Sequence, residues 1–336
     1  MTLFMSVIET NVLVLLTKKF INNNLYKQLS FNGGQKCMAN AQVSAADVLF
    51  YRNAPTERSF RNKIIGLIAL PGVGIDLAAL PLAIGTAALA GARFDDLRLL
   101  PLLIIVFLAA GVANMINDIV DAERDKTKWP LRPLATGLLS RSEAILYTAI
   151  LSAIGIIMAI VVFNWLFLAL GLLVLAGNLA YSRYLRDNIG YLTVMLPLAL
   201  APVAIWSAFS PETILTPLPW LLAIFLTVYS PVPSTMQEAL DPQVPTLFIR
   251  LRPTAERALY VMFVIALFVS GVAILLYAQL SWLFAVVLAV LTVWLLIQAR
   301  NLGDKRSREK LETGFKITMA SISLYWLSLA VFAWAR

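Results

Sequence analysis

The sequence predicts an all-α integral membrane protein of nine transmembrane helices. Three observations carry that prediction. Of the 336 residues, 60% are hydrophobic and only 14% charged, where a soluble domain carries about 25% charged residues. Apolar runs close to the roughly 20 residues needed to cross a hydrocarbon core recur along the chain, each bounded by charge or turn residues. Threading those runs alternately through a bilayer puts all 27 Lys and Arg residues on the side of the N terminus except Arg93, Arg98 and Arg336. That is the bias expected of cytoplasmic loops.

The runs follow in order. The first, 64–89, begins after Lys63 and contains Pro71, Gly72, Gly74 and the acid Asp76. The second, 99–120, begins after Arg98 and ends in a cluster of acids. Runs 143–162 and 165–181 are separated by Phe163 and Asn164 alone, so they form a hairpin. The fifth, 189–209, follows Arg186 and Asp187, and the sixth, 217–236, follows a Pro-bounded turn. The last three, 258–278, 280–299 and 313–334, start after Arg257, Gln279 and a charge-rich stretch from Arg300. No long polar linker separates any of them, so 61–336 is expected to be one membrane domain and 1–60 a cytoplasmic or interfacial extension. Within that extension an apolar stretch, 3–16, is interrupted by Glu9 and Asn11 and followed by Lys18 and Lys19. A secretory signal places its positive charge first, so this is not one.

Composition also excludes classes of function. With no histidine in the chain, imidazole acid/base catalysis, His-ligated haem and His-containing zinc sites fall away. Cys37 is the only cysteine, so no disulfide forms within the chain. The formal net charge of +8 is accounted for by the cytoplasmic loops, and the expected surroundings are a lipid bilayer with no nucleic-acid partner.

The informative stretch is 114–140, at the cytoplasmic end of the second run. At 100° per residue, Asn114, Asn117, Asp118, Asp121 and Asp125 fall within about a 100° arc and form one polar stripe. Ionisable groups on a membrane helix face the bundle interior or a watery cavity and are functional candidates by default. Carboxylates one turn apart, flanked by amide oxygens, offer hard ligands to a cation of the magnesium type, which takes one or two protein carboxylates and completes its shell with water and phosphate oxygens. Lys128 and Arg132 follow at once and can hold the remaining oxygens of a metal-bridged diphosphate. A helix end that is merely solvated is the competing account. Asp76 is a further intramembrane acid; it either lines a cavity or, if the first run begins after a broken interfacial segment, lies near the headgroups.

Asn117, Asp121 and Asp125 reproduce the NxxxDxxxD signature of the UbiA superfamily of intramembrane prenyltransferases, and RPLATG from Arg132 to Gly137 resembles that family's RPLxxG segment. The resemblance covers roughly residues 60 to 336. It implies nine transmembrane helices around a central cavity, with two acidic motifs on cytoplasmic loops. Tyr181 and Ser182, with Arg186 four residues later, resemble the family's YS-containing loop and its basic residue; an interfacial aromatic flanked by snorkelling arginines would read the same.

The family's second acidic motif, DxxxD followed by Gly and a Thr-Leu pair, is only partly matched. Residues 237–247 read QEALDPQVPTL. Asp241 takes the place of the first Asp and Thr246-Leu247 that of the pair, but the second Asp has no counterpart. Glu238, three residues before Asp241, shares its helical face and is a candidate substitute ligand. Trp129 stands where members often have Arg, with Lys128 beside it.

Taken as the resemblance implies, magnesium held by Asn117, Asp121, Asp125, Glu238 and Asp241 draws charge from an allylic prenyl diphosphate bound by Lys128, Arg132, Tyr181 and Arg186. Asp121, Asp125 and Asp241 then act as the catalytic acids, and an aromatic or other lipophilic acceptor captures the cation. Two other classes share the same polar stripe. One is a terpene cyclase whose own double bond traps the cation; the other is a noncatalytic binder or transporter. No internal repeat of the kind transporters carry is visible.

Overall fold

The computed structural model describes residues 48, 52–72, 77–185, 195–240, 253–302 and 307–336. The chain divides into two compact units, Met1–Gln42 and Val43–Arg336, and all described residues belong to the second. They form eleven α-helices, with no strand among the described residues. In chain order these are α1 (Phe60–Ala69), α2 (Leu80–Leu89), α3 (Leu99–Lys128), α4 (Arg141–Val162), α5 (Trp165–Ala180), α6 (Met195–Phe209), α7 (Pro217–Tyr229), α8 (Pro231–Leu240), α9 (Pro253–Tyr277), α10 (Trp282–Gln298) and α11 (Arg308–Trp334).

Six of these helices are long and apolar enough to cross a membrane: α3, α4, α5 with the turn after it, α9, α10 and α11. Three shorter apolar helices, Leu80–Leu89, Leu198–Phe209 and Pro217–Pro233, accompany them. In each long span only 17% to 39% of the residues are buried against protein. Much of their apolar surface is therefore left partly or fully uncovered by protein, which a helix tolerates in hydrocarbon and not in water. The protein is a multi-pass membrane protein.

The first run is not the single helix read from sequence. It is α1, a turn through Leu70, Pro71 and Gly72, and then a 3₁₀ turn at Leu77–Ala79 leading into α2. Pro71 supplies no amide donor, and Gly72 has φ +84°, a conformation that disfavours any side chain. Asp76 lies outside the described residues.

Local chemistry fixes the other boundaries. Ser140 and Glu143 form a reciprocal capping box at the start of α4, with Glu143 N–H donating to Ser140 Oγ at 3.2 Å and Ser140 N–H to Glu143 Oε2 at 2.8 Å. Asn164 caps α5 by accepting from Phe167 N–H at 2.9 Å, while its amide donates to the Ser207 carbonyl of α6 at 2.6 Å. Thirty residues of α3 span about 45 Å at the usual rise, more than the roughly 30 Å of a hydrocarbon core. Its acid-bearing end thus reaches the interface.

Helix α2 packs along α11, α5 along α6, α6 along α7, α3 along α4, and α7 along α9. Small residues permit the α2–α11 approach: a Cβ on Gly85 would lie 2.5 Å from the Trp326 carbonyl oxygen. Across the core Phe225 of α7 stacks on Tyr325 of α11 with centroids 3.9 Å apart, and Trp326 meets Phe225 edge-on at 5.8 Å.

Candidate functional site

The last three turns of α3 carry Asp118, Asp121 and Asp125, all buried. They share one face because they recur at spacings of three and four. An isolated buried carboxylate is costly, and each of these meets a guanidinium. Asp118 Oδ2 accepts from Arg52 Nη2 at 2.5 Å and its Oδ1 from Arg132 Nη1 at 2.9 Å. The same Arg132 Nη1 donates to Asp125 Oδ2 at 2.7 Å. Asp121 Oδ2 accepts from Arg124 Nη2 at 2.8 Å, one turn along α3. Among the described residues, three carboxylates thus face three guanidiniums.

Arg124 belongs to α3 itself, and two other chain segments deliver Arg132 and Arg52. After Trp129, whose N–H still donates to Asp125 O at 2.8 Å, the chain folds back in tight turns; Arg132 N–H donates to Trp129 O at 3.0 Å and Thr136 N–H to Arg132 O at 2.9 Å. Gly137 takes φ +71° in this loop. The guanidinium of Arg132 lies 5.3 Å from the centroid of the Trp129 ring, within cation–π range. Arg52 arrives from the segment before α1, at φ +58°. Its side chain also donates to the Leu70 and Asn114 carbonyls at 2.5 and 3.3 Å. Leu70 caps the C-terminal end of α1, where unpaired carbonyls favour a cation. Asn114 Nδ2 donates to Pro71 O at 2.9 Å. Asn114 of the stripe and Arg52 therefore satisfy the Pro71 and Leu70 carbonyls freed at the break in the first span.

The N-terminal segment is fastened twice more. Ala54 N–H donates to Leu131 O at 2.7 Å, and Lys63 of α1 pairs with Glu143 of α4 at 2.7 Å. Gly66 of α1 sits on the loop after Arg132, where a Cβ would lie 2.9 Å from Leu138 Cδ2.

Of the residues read from sequence, Asn117, Asp121, Asp125 and Arg132 are brought together at this end of the bundle. Tyr181 is buried and opens a π-helical turn, Tyr181–Leu185, that packs against α3. Lys128 is the last residue of α3 and Glu238 belongs to α8; the side chains of both lie outside the described residues. So do Asp241 and Arg186 altogether. Arg52 was not anticipated: nothing in a sequence pairs it with an acid 66 residues away. Asp118 was placed in the stripe without its role as partner to two arginines.

Among the described residues no three acidic side chains form a ready metal cage. The donors present still fit magnesium, because Asn117, Asp121 and Asp125 offer hard oxygens along one helix face, and this ion asks for one or two carboxylates plus water and phosphate oxygens. Asp118, taken up by two arginines, is not among those donors.

The model of the UbiA prenyltransferase family matches residues 78–334. The chain belongs to that family. Among solved structures, a UbiA homolog from Aeropyrum pernix superposes with a TM-score of 0.67 at 18% identity, covering 77% of this chain and 98% of the homolog. A UbiA homolog from Archaeoglobus fulgidus bound to GPP and Mg2+ superposes with a TM-score of 0.58 at 17% identity, covering 80% and 99%. In sequence the chain is similar to the digeranylgeranylglyceryl phosphate synthase of Thermococcus sibiricus, 32% identical over 143 residues, which is 42% of this chain and 46% of the synthase. Curated relatives of this kind are matched over about a quarter to a half of their length. Within this UbiA chain the acid stripe and its two partners in α3 and the following loop, Arg124 and Arg132, lie in the matched region, whereas Arg52 lies before it.

Proposed function

We propose that this protein transfers a prenyl group from an allylic prenyl diphosphate to a lipophilic acceptor within the bilayer, with magnesium as cofactor. One observation supports this above the others: Asp121, Asp125 and Arg132 converge at the buried end of a membrane-spanning helix in a chain of the UbiA family. The homolog bound to GPP and Mg2+ supports the choice of donor and metal, and the synthases named above support an acceptor that is itself a lipid precursor.

Asn117, Asp121 and Asp125 would hold the ion, with Glu238 and Asp241 of the partly matched second motif completing its ligands. When bound, magnesium supplies a Lewis acid that takes up the charge departing with the diphosphate. Arg132, Lys128, Arg186 and Tyr181 hold the remaining phosphate oxygens and fix the leaving group. The donor's C–O bond breaks with its electron pair going to diphosphate. The acceptor's electron pair forms the new bond to the allylic carbon, and the acceptor then releases a proton. Apolar helices around the site exclude the water that would otherwise capture the cation. In this topology the N terminus and both acidic motifs are cytoplasmic, the side on which a soluble diphosphate is released.

The test is diphosphate release from a panel of radiolabelled allylic donors by purified protein, with magnesium or with EDTA, followed by chromatography of the lipid products. Magnesium-dependent release with a product containing the acceptor is the expected result. A product formed from the donor alone would replace transfer by cyclisation, and donor binding without release would overturn the enzymatic reading.

A further inference from the structure

The guanidinium of Arg132 bridges two of the carboxylates of α3. One nitrogen, Nη1, donates both to Asp118 Oδ1 at 2.9 Å and to Asp125 Oδ2 at 2.7 Å. Asp118 is also held from its other oxygen by Arg52, so it is fixed whether or not Arg132 stays. Among the described residues Asp125 has no such second holder: its carboxylate accepts a side-chain hydrogen bond from Arg132 alone. Arg132 Nε, meanwhile, is buried and has no hydrogen-bond partner among the described residues. An unpaired buried donor of this kind is costly, and a guanidinium fork is built to give paired bonds to phosphate. Half of the fork therefore neutralises the acids while the other half waits for an acceptor.

We propose that Arg132 is a place-holding cation that keeps the carboxylates of α3 from taking a divalent ion on their own and yields Asp125 only when a diphosphate enters to receive its guanidinium. The inference rests on the reading of this face as a metal–diphosphate site. Its logic is charge balance. Three carboxylates against three guanidiniums, among the described residues, leave little net attraction for a free dication. A diphosphate gives Arg132 a new acceptor for both nitrogens, and Asp125 becomes available to the ion at the same moment. Ion and diphosphate thus bind together, each weakly alone. Arg52 makes this possible from outside the family-matched region, by keeping Asp118 neutralised when Arg132 turns away.

The experiment measures Mn2+ binding by electron paramagnetic resonance on the full chain in detergent micelles, alone and with inorganic diphosphate, in the native protein and in Arg132→Gln. In the native protein Mn2+ should bind at least about tenfold more tightly with diphosphate than without. In Arg132→Gln, Mn2+ alone should bind about tenfold more tightly than in the native protein, and diphosphate should add little. Equal Mn2+ affinity in the native protein with and without diphosphate overturns the proposal, and needs no variant to fold. Unchanged or weaker binding of Mn2+ alone in a folded Arg132→Gln overturns it as well. If the expected pattern holds in a protein that ionises no allylic donor, the place-holding role stands and the transfer reading falls.

Discussion

The two ends of α3 carry the same kinds of residues to opposite effect. At its start, Arg93 pairs with Asp95 and Arg98 with Asp96, each across two residues of chain. The first pair is fully in solvent, with side chains 83% and 69% exposed. At its end, Arg52 and Asp118 are 5% and 2% exposed and come from positions 66 residues apart. Local, exposed ion pairs contribute about 0–1 kcal/mol. A buried pair gains little over an apolar replacement, but losing one partner strands a charge. Ion pairing as such therefore marks nothing. Burial combined with long sequence separation marks the end of the helix where the fold has been arranged around its charges.

The sharpest way to break this contrast is to remove an acid from the buried end. Asp121→Ala or Asp125→Ala should lower magnesium-dependent diphosphate release by about 10²-fold or more, the scale seen when a group stabilising a departing charge is lost, while the protein still extracts as a folded membrane species. Full activity in both variants would remove these residues from the site. Next comes the partner of Asp118. Arg52→Ala should cost about 3 kcal/mol of stability, read as a lowered midpoint in detergent unfolding. A midpoint within error of the native protein would show that the N-terminal segment is not tied to α3.

A smaller effect is expected where no charge is involved. Gly85→Ala forces a methyl against the Trp326 carbonyl and should cost about 1–3 kcal/mol, with the diphosphate-release rate of the surviving folded protein unchanged. At the exposed end of α3, Asp95→Asn should change stability by less than about 0.5 kcal/mol. The neighbouring Asp96 has its carboxyl held below the usual range, chiefly by the hydrogen bond from Arg98. Its contribution is present above the ordinary carboxylate pKa of about 4 and is lost as pH falls through the lowered value. Asp96→Asn should therefore lose a small contribution that the native protein keeps from neutral pH down to about pH 5, and the difference between the two should fade in acid, where the native carboxyl is protonated as well. A loss at neutral pH comparable to that of Arg52→Ala would erase the distinction between the two ends.

Much of this was readable beforehand, for definable reasons. The long spans declare themselves by length and hydropathy, and the stripe from Asn114 to Asp125 by the period of the α-helix, both properties of neighbouring residues. Arg132 was legible because it lies only seven residues beyond Asp125. The break after Leu70 was signalled by Pro71 and Gly72, yet an apolar run conceals it, since the carbonyls it frees are satisfied by Asn114 and Arg52 from elsewhere in the chain. Arg52 itself was illegible. Its role depends on a left-handed backbone position and on an acid far along the sequence, neither of which any local pattern encodes.

The pairing of α2 with α11 bears on how the protein is made. Trp334 Nε1 donates to the carbonyl of Ala92 at 2.7 Å, across 242 residues of chain, so α11 closes back onto the start of the bundle, against α2. At common rates of translation that interval is on the order of 10–50 s. Throughout it the small-residue face of α2 waits in the membrane without its mate, and a newly inserted chain is open along that side until α11 arrives.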